Sequence, residues 1–258
     1  MKEEAENAPD VPPGCVFCTF GLIVTGEGER EFLPQFFTSL MERAGCTFKV
    51  LRKTGQRPPI SQVRRLKMVG RGQDILPKDE EEIGLEARRF LRQQPCHFVI
   101  LIDDVEYARR PILTQVFARY RAVLDTMLLP EEKLRGAVHF FANMLEAYYF
   151  AHSQAVNDAL GTTVLTADAT GDVEQIQHPK NDLKRLHPGF DEKSDGANII
   201  AALDLDRILN TPATCAFLRS LFGWCVRQLQ SNCPVYDLEL HTRYQLQNGS
   251  QAQLTRAQ

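Results

Sequence analysis

Residues 21–41 read GLIVTGEGEREFLPQFFTSLM. Leu22 to Val24 make a short apolar strand, and a turn follows in which Glu27 stands between Gly26 and Gly28. Phe32, Leu33, Phe36, Phe37, Leu40 and Met41 then recur at helical spacing. Strand, turn and helix in this order fix a carboxylate at the carboxyl end of a strand, the edge at which open α/β sheets hold their ligands. The stretch therefore reads as the rim of an active site as well as a connector.

The same logic returns further along. The acidic start DEEE at 79–82 opens a helix with Ile83, Ala87, Phe90 and Leu91 on one face, and Arg88, Arg89 and Arg92 near its end suit the helix dipole. Residues 96–106, CHFVILIDDVE, follow. Phe98 to Ile102 form an unbroken apolar run of the kind buried on both faces of a parallel sheet, and the run ends in Asp103, Asp104 and Glu106. If the two strands are parallel neighbours, these acids converge with Glu27 and form a site for a hard cation, Mg²⁺ or Mn²⁺. A third unit, with a strand at Ala137 to Phe141 and a helix from Asn143, adds Glu146 as a further ligand.

The chain has 258 residues, 43% of them apolar and 24% charged, which suffices for the core of a large α/β domain. No apolar run approaches the ~20 residues that span a bilayer, and the start MKEEAENAPD is the reverse of a signal peptide. The expectation is a cytoplasmic protein without membrane contact. Seven scattered cysteines are expected as reduced thiols; Cys15 and Cys18 form a lone CxxC, read as half-buried hydrophobes rather than a zinc or redox site.

Charge is distributed unevenly. Between Lys49 and Arg71 lie eight basic residues and no acid, among them Arg52, Lys53, Arg57, Arg64, Arg65, Lys67 and Arg71. In a chain of net charge −3 such a block makes a local surface able to attract a phosphate backbone. Lys180, in HPK, can neutralise a phosphate oxygen, and Lys193 stands in a similar polar loop. Other chemistry finds no motif: the six histidines show no paired metal spacing, and neither a P-loop nor a serine elbow occurs. Gly26 and Gly28 enclose an acid, which would repel a pyrophosphate unless a cation intervened.

Taken together, GEGERE, IDDVE, LEAYYFAH at 145–152 and HPKNDLKRL at 178–186 with GFDEKSDGANIIAALDLDRI after it resemble the DUF4276 family of TOPRIM-like proteins, over residues 20–225. The resemblance implies a mostly parallel TOPRIM-like sheet with flanking helices and a helical C-terminal extension. It also implies a Mg²⁺- or Mn²⁺-dependent nuclease acting on nucleic acid, DNA ahead of RNA, in which Glu27 and Asp103 are catalytic and Lys180 assists. As an alternative it implies a subunit that docks on a partner ATPase, as in anti-phage systems. The chain departs from the pattern in one place: Val105 stands where the second acid of the pair belongs, flanked by Asp104 and Glu106. Asp104 with Glu106, or Asp103 with either, or a decayed site, all remain open at that point. The expected organisation is an acidic tail at 1–13, a core at 14–160, a helical extension at 161–246 and a second tail at 247–258.

Overall fold

The computed structural model describes residues 14–56, 66–67, 74–210 and 214–232. Four strands, β1 (Cys18–Val24), β2 (Cys46–Lys53), β5 (His97–Val105) and β6 (Gly136–Ala142), form one sheet in the order β2-β1-β5-β6, and every pairing in it is parallel. Two two-residue strands, β3 (Leu66–Lys67) and β4 (Asp74–Ile75), pair antiparallel apart from it. The α/β reading of the sequence is thus the observed architecture. β5 is buried at every position, as a central strand covered on both faces must be.

Connections to opposite sides of β1 place their helices on opposite faces, as same-handed crossovers require. From β1 to β2 the chain runs through α1 (Glu27–Phe32), a 3-10 segment at Leu33–Phe37 and α2 (Thr38–Arg43). Their Phe32, Phe36 and Leu40 pack with Phe20, Leu22, Phe98 and Ile100 in one core. On the other face α3 (Lys78–Leu91) and α4 (Leu113–Met127) cover Ile23, Val99 and Leu101 with Ile83, Phe90, Val116 and Tyr120. Gly21 lets this layer come close, because a Cβ there would collide with Phe90 and Leu51. The buried pair Arg119–Glu80 joins the two helices.

The short α5 (Pro130–Lys133) leads into β6, after which come α6 (Ser153–Leu160), α7 (Pro179–Leu186), α8 (Ser194–Ala202), α9 (Leu205–Leu209) and α10 (Ala216–Asn232). The helical C-terminal part is not a separate layer. Leu218, Phe222 and Trp224 of α10 share the core that holds Phe20 and Phe98. α10 begins over Glu174, which is almost wholly buried and accepts hydrogen bonds from the backbone N–H groups of Phe217 and Leu218 and from the Tyr148 hydroxyl. The expected tails and a weak strand expected at Val235 to Leu246 lie outside the described residues.

One expectation is corrected. Cys15 and Cys96 are joined by a disulfide with 5.7 Å between their Cα atoms, whereas Cys18, Cys46, Cys215 and Cys225 are buried thiols. The reason is register: Thr19 pairs with His97, so the segments that lead into β1 and β5 meet, although 81 residues separate the two cysteines. Among the described residues no helix is long and apolar enough to cross a membrane.

Two outcomes follow from these contacts. A loop closed at a separation of 81 residues gains about 3–4 kcal/mol from the cross-link, so dithiothreitol lowers the melting temperature of the wild type but leaves that of Cys96→Ser unchanged. Burial raises the Glu174 carboxyl to about 7 from a usual 4.5, against its hydrogen-bond donors. Folding therefore favours the protonated form: this contribution is full below pH 4.5 and is lost as pH rises through about 7. Urea titrations from pH 4 to 8 should show a decline in wild-type stability that Glu174→Gln flattens.

Candidate functional site

The carboxyl ends of β1 and β5 are neighbours, with Val24 opposite Ile102. The chain leaves β1 in one direction and β5 in the other, so this is the switch point at which a parallel sheet opens a crevice. Five stretches of chain deliver side chains to it. α1 starts there with Glu27 and Glu29, the end of β5 supplies Asp104, and the segment after β6 supplies Glu146 and Tyr149. The first turn of α7 brings Lys180 and the loop before α8 brings Lys193, and together these groups line a pocket of about 290 Å³.

Two carboxyl groups form its floor. Glu29 is 4% exposed and Asp104 8%, and Glu29 Oε2 and Asp104 Oδ1 each lack a hydrogen-bond partner. Burial pushes the Asp104 carboxyl well above its usual range, and Glu29, in hydrogen-bonding reach, raises it further, as does Glu146. Two ionised carboxylates in such contact repel each other, and a cation between them would remove the repulsion. Glu146 is likewise raised, first by burial, with Lys180 opposing and Glu29 adding to the shift. The Tyr149 hydroxyl is pushed up by burial and by the same three acids. Gly26 is required here, since a Cβ at this position would collide with the Glu29 carboxylate.

The backbone after β6 turns sharply to bring Glu146 in. Asn143 and Met144 have φ of 57° and 78°, a left-handed pair without glycine. The Asn143 side-chain amide holds the turn by donating to the carbonyls of Glu174 and Ile176, at 3.0 and 2.7 Å.

The predicted residues divide. Asp104 and Glu146 join the floor of the pocket, and Glu27 stands at its mouth. Glu27 is ion-paired with Lys53 and Arg30, and its carboxyl is held below the usual range, chiefly by the hydrogen bond from Lys53. Asp103 is not brought to the pocket, because successive strand residues face opposite sides of the sheet. It points to α4, where it has no exposed surface and accepts hydrogen bonds from Thr25 (2.9 Å), Tyr120 (3.1 Å) and both Arg109 amino groups (3.0 and 3.3 Å). Its pKa is raised by burial, with Arg109 the main opposing group. Glu106 is exposed and begins the next 3-10 turn. Lys180 lines the pocket and pairs with Glu192.

The basic block is partly neutralised by acids from elsewhere in the chain: Arg52 pairs with Glu82 and Lys53 with Glu27. Only the backbone of Lys67 is described, and Arg57, Arg64, Arg65 and Arg71 lie outside the described residues. Of the histidines, His139 is a neutral core group, pushed by burial to a pKa of about 3, and His97 Nδ1 meets the Phe90 carbonyl at 2.9 Å.

Glu29 was missed, although a signal for it exists. It precedes Phe32, Leu33 and Phe36 by three, four and seven residues, so it lies on the apolar stripe of its helix, whereas Glu27 does not. An acid on such a stripe is buried with the apolar residues beside it, which acids rarely are unless paired.

Among the described residues no group of three or more His, Cys, Asp or Glu side chains is placed to hold a metal ion. Mg²⁺ does not require one, since it is commonly held by one or two carboxylates with water and substrate phosphate completing the shell. The oxygen-only donors Glu29 and Asp104, each with an unpartnered oxygen, fit that requirement.

The chain matches no family model, no curated protein and no solved structure. The motif resemblance to DUF4276 and TOPRIM proteins accordingly gains no support from these comparisons.

The contrast between the two acids expected to be catalytic is measurable. Asp103→Ala removes the buried acceptor that Thr25, Tyr120 and Arg109 share and should cost about 3–5 kcal/mol in chemical denaturation, whereas Glu27→Gln should leave the midpoint unchanged.

Proposed function

We propose that the chain is a divalent-cation-dependent phosphoryl-transfer protein, acting on phosphate esters of nucleotides or nucleic acid, with its centre at Glu29 and Asp104. One observation carries the reading: two buried carboxyl groups meet at the switch point of a parallel sheet, each with an oxygen lacking a partner. Like charges in such contact are costly, and a Mg²⁺ or Mn²⁺ ion removes the cost. Glu29 and Asp104 would hold the ion, with Glu146 behind them. Bound there, it would polarise a phosphoryl oxygen and acidify a water molecule.

The other groups have roles that follow from their positions. Lys180 and Lys193, which line the same pocket, would neutralise the remaining phosphate oxygens. Tyr149, buried beneath the acids, excludes bulk water from the floor. The reaction is attack of water on phosphorus, with cleavage of the P–O ester bond and protonation of the leaving oxygen. The nucleic-acid part of the reading rests on the motif resemblance and on the lysines beside the acids.

Calorimetric titration with Mg²⁺ and Mn²⁺ tests the centre directly. Glu29→Gln and Asp104→Asn should each weaken cation binding by about tenfold or more and should raise the melting temperature by removing one of two repelling acids. Glu27→Gln should bind as the wild type does. Equal cation affinity in the wild type and both floor variants would overturn the proposal, as would a wild type that binds neither ion.

A further inference from the structure

α7 carries two lysines one turn apart, Lys180 and Lys184, and one carboxylate holds both. Glu192 gives Oε2 to Lys180 and Oε1 to Lys184, the latter at 2.9 Å. Two ammonium groups on the oxygens of a single anion is the arrangement in which lysines grip a phosphate, as point charges that need no planar partner. Helix stability does not account for it. Lys180 stands in the first turn of α7, the end at which the helix dipole favours anions over cations.

The trio lies at the edge of the acid floor. Lys180 and Glu192 both line the pocket, and both act on the Glu146 carboxyl, Lys180 against its upward shift and Glu192 with it. The Glu192 carboxyl is itself held below the usual range, chiefly by the hydrogen bond from Lys180. Its backbone is fixed by the residue before it: Asp191 accepts from the backbone N–H groups of Lys193 and Ser194, at 3.1 and 2.8 Å, and from the Ser194 hydroxyl at 2.9 Å. Glu192 therefore leaves the lysines by side-chain rotation alone, into solvent to which its side chain is already 38% exposed. Ion pairs so exposed are weak, and a stronger anion displaces the carboxylate at small cost.

We propose that Lys180 and Lys184 form a phosphate subsite, which Glu192 fills in the resting chain as an internal stand-in for the ligand. The inference deepens the phosphoryl-transfer reading and rests on it for the ligand's role. Lys180 is withheld from the cation centre until a phosphate takes the place of Glu192, and Lys184, outside the pocket lining, then becomes an anchor for the ligand. A tetrahedral oxyanion keeps two oxygens on the lysines and has others to spare for an ion at Glu29 and Asp104. A carboxylate ligand has none to spare.

Inorganic phosphate titrated in EDTA at constant ionic strength, and followed by NMR so that weak binding is read, reports on the lysines without the cation. Glu192→Gln keeps the size of the side chain and removes its charge; it should bind phosphate about fivefold tighter than the wild type. Adding Lys184→Gln to it should remove that gain. Glu31→Gln controls for net charge, because Glu31 lines the same pocket and has no ion pair among the described residues; it should shift phosphate affinity by less than about twofold. No gain in Glu192→Gln would overturn the subsite, as would an equal gain in Glu31→Gln or a gain that survives Lys184→Gln. Mg²⁺ titration of the same proteins separates the two readings. If Mg²⁺ binds through Glu29 and Asp104 and Glu192→Gln gains nothing, only the subsite falls. If the gain appears and Mg²⁺ does not bind, the phosphoryl-transfer reading falls and the lysine pair stands as a phosphate site alone.

Discussion

At the end of the central strand a carboxylate with no exposed surface holds the two halves of the site in register. Asp103 accepts from Thr25 Oγ1, and Thr25 Oγ1 in turn accepts from the backbone N–H of Asp104. This hydroxyl therefore ties the exit of β1 to the exit of β5, one residue before each chain turns away. Arg109 folds back from the following turn to grip Asp103 with both amino groups and the Asp104 carbonyl with one. A buried carboxylate left with an unused lone pair costs more than it contributes, so the full set of donors is a condition for the strand to end where it does. The acids on the other face inherit their spacing from this lock.

The sequence made the sheet easy to read, because its signals are local. The apolar runs at Leu22–Val24 and Phe98–Ile102 became β1, which starts earlier at Cys18, and β5, which runs from His97 to Val105. α4 carries Val116, Tyr120, Val123 and Leu124 at helical spacing, but no acid or glycine turn draws attention to it. Its importance comes from Tyr120, which reaches Asp103 only once the helix lies across the sheet. The disulfide was hidden for a related reason, since its halves meet through strand pairing and not through spacing.

The site was legible in place but not in parity. Glu27 and Asp103 are the acids that a motif picks out, and they miss the floor by two positions and by one. A strand alternates its faces every residue and a helix turns about 100° per residue, so a shift of one or two converts a pocket acid into a surface ion pair or a core anchor. Asp104 shares its face with Phe98, Ile100 and Ile102, and Glu29 shares its stripe with Phe32, Leu33 and Phe36. Core periodicity, applied to charged residues as strictly as to apolar ones, identifies both.

The retained repulsion at the floor is itself informative. An apolar side chain at position 29 or 104 would complete the core around Ile102 and Phe32 and remove a carboxyl that burial disfavours. Asp103 shows that this fold can satisfy a buried acid fully when the acid serves the fold alone. Asp104 is one residue and one face away from the same donors, and neither it nor Glu29 is satisfied in that way. The cations in reach, Lys180 and Lys193, stand at the pocket's rim and act on Glu146 and Glu27. On the phosphoryl-transfer reading proposed above, acids at the floor and lysines at the rim would orient a ligand carrying its own cation and phosphate, cation inward and phosphate oxygens outward.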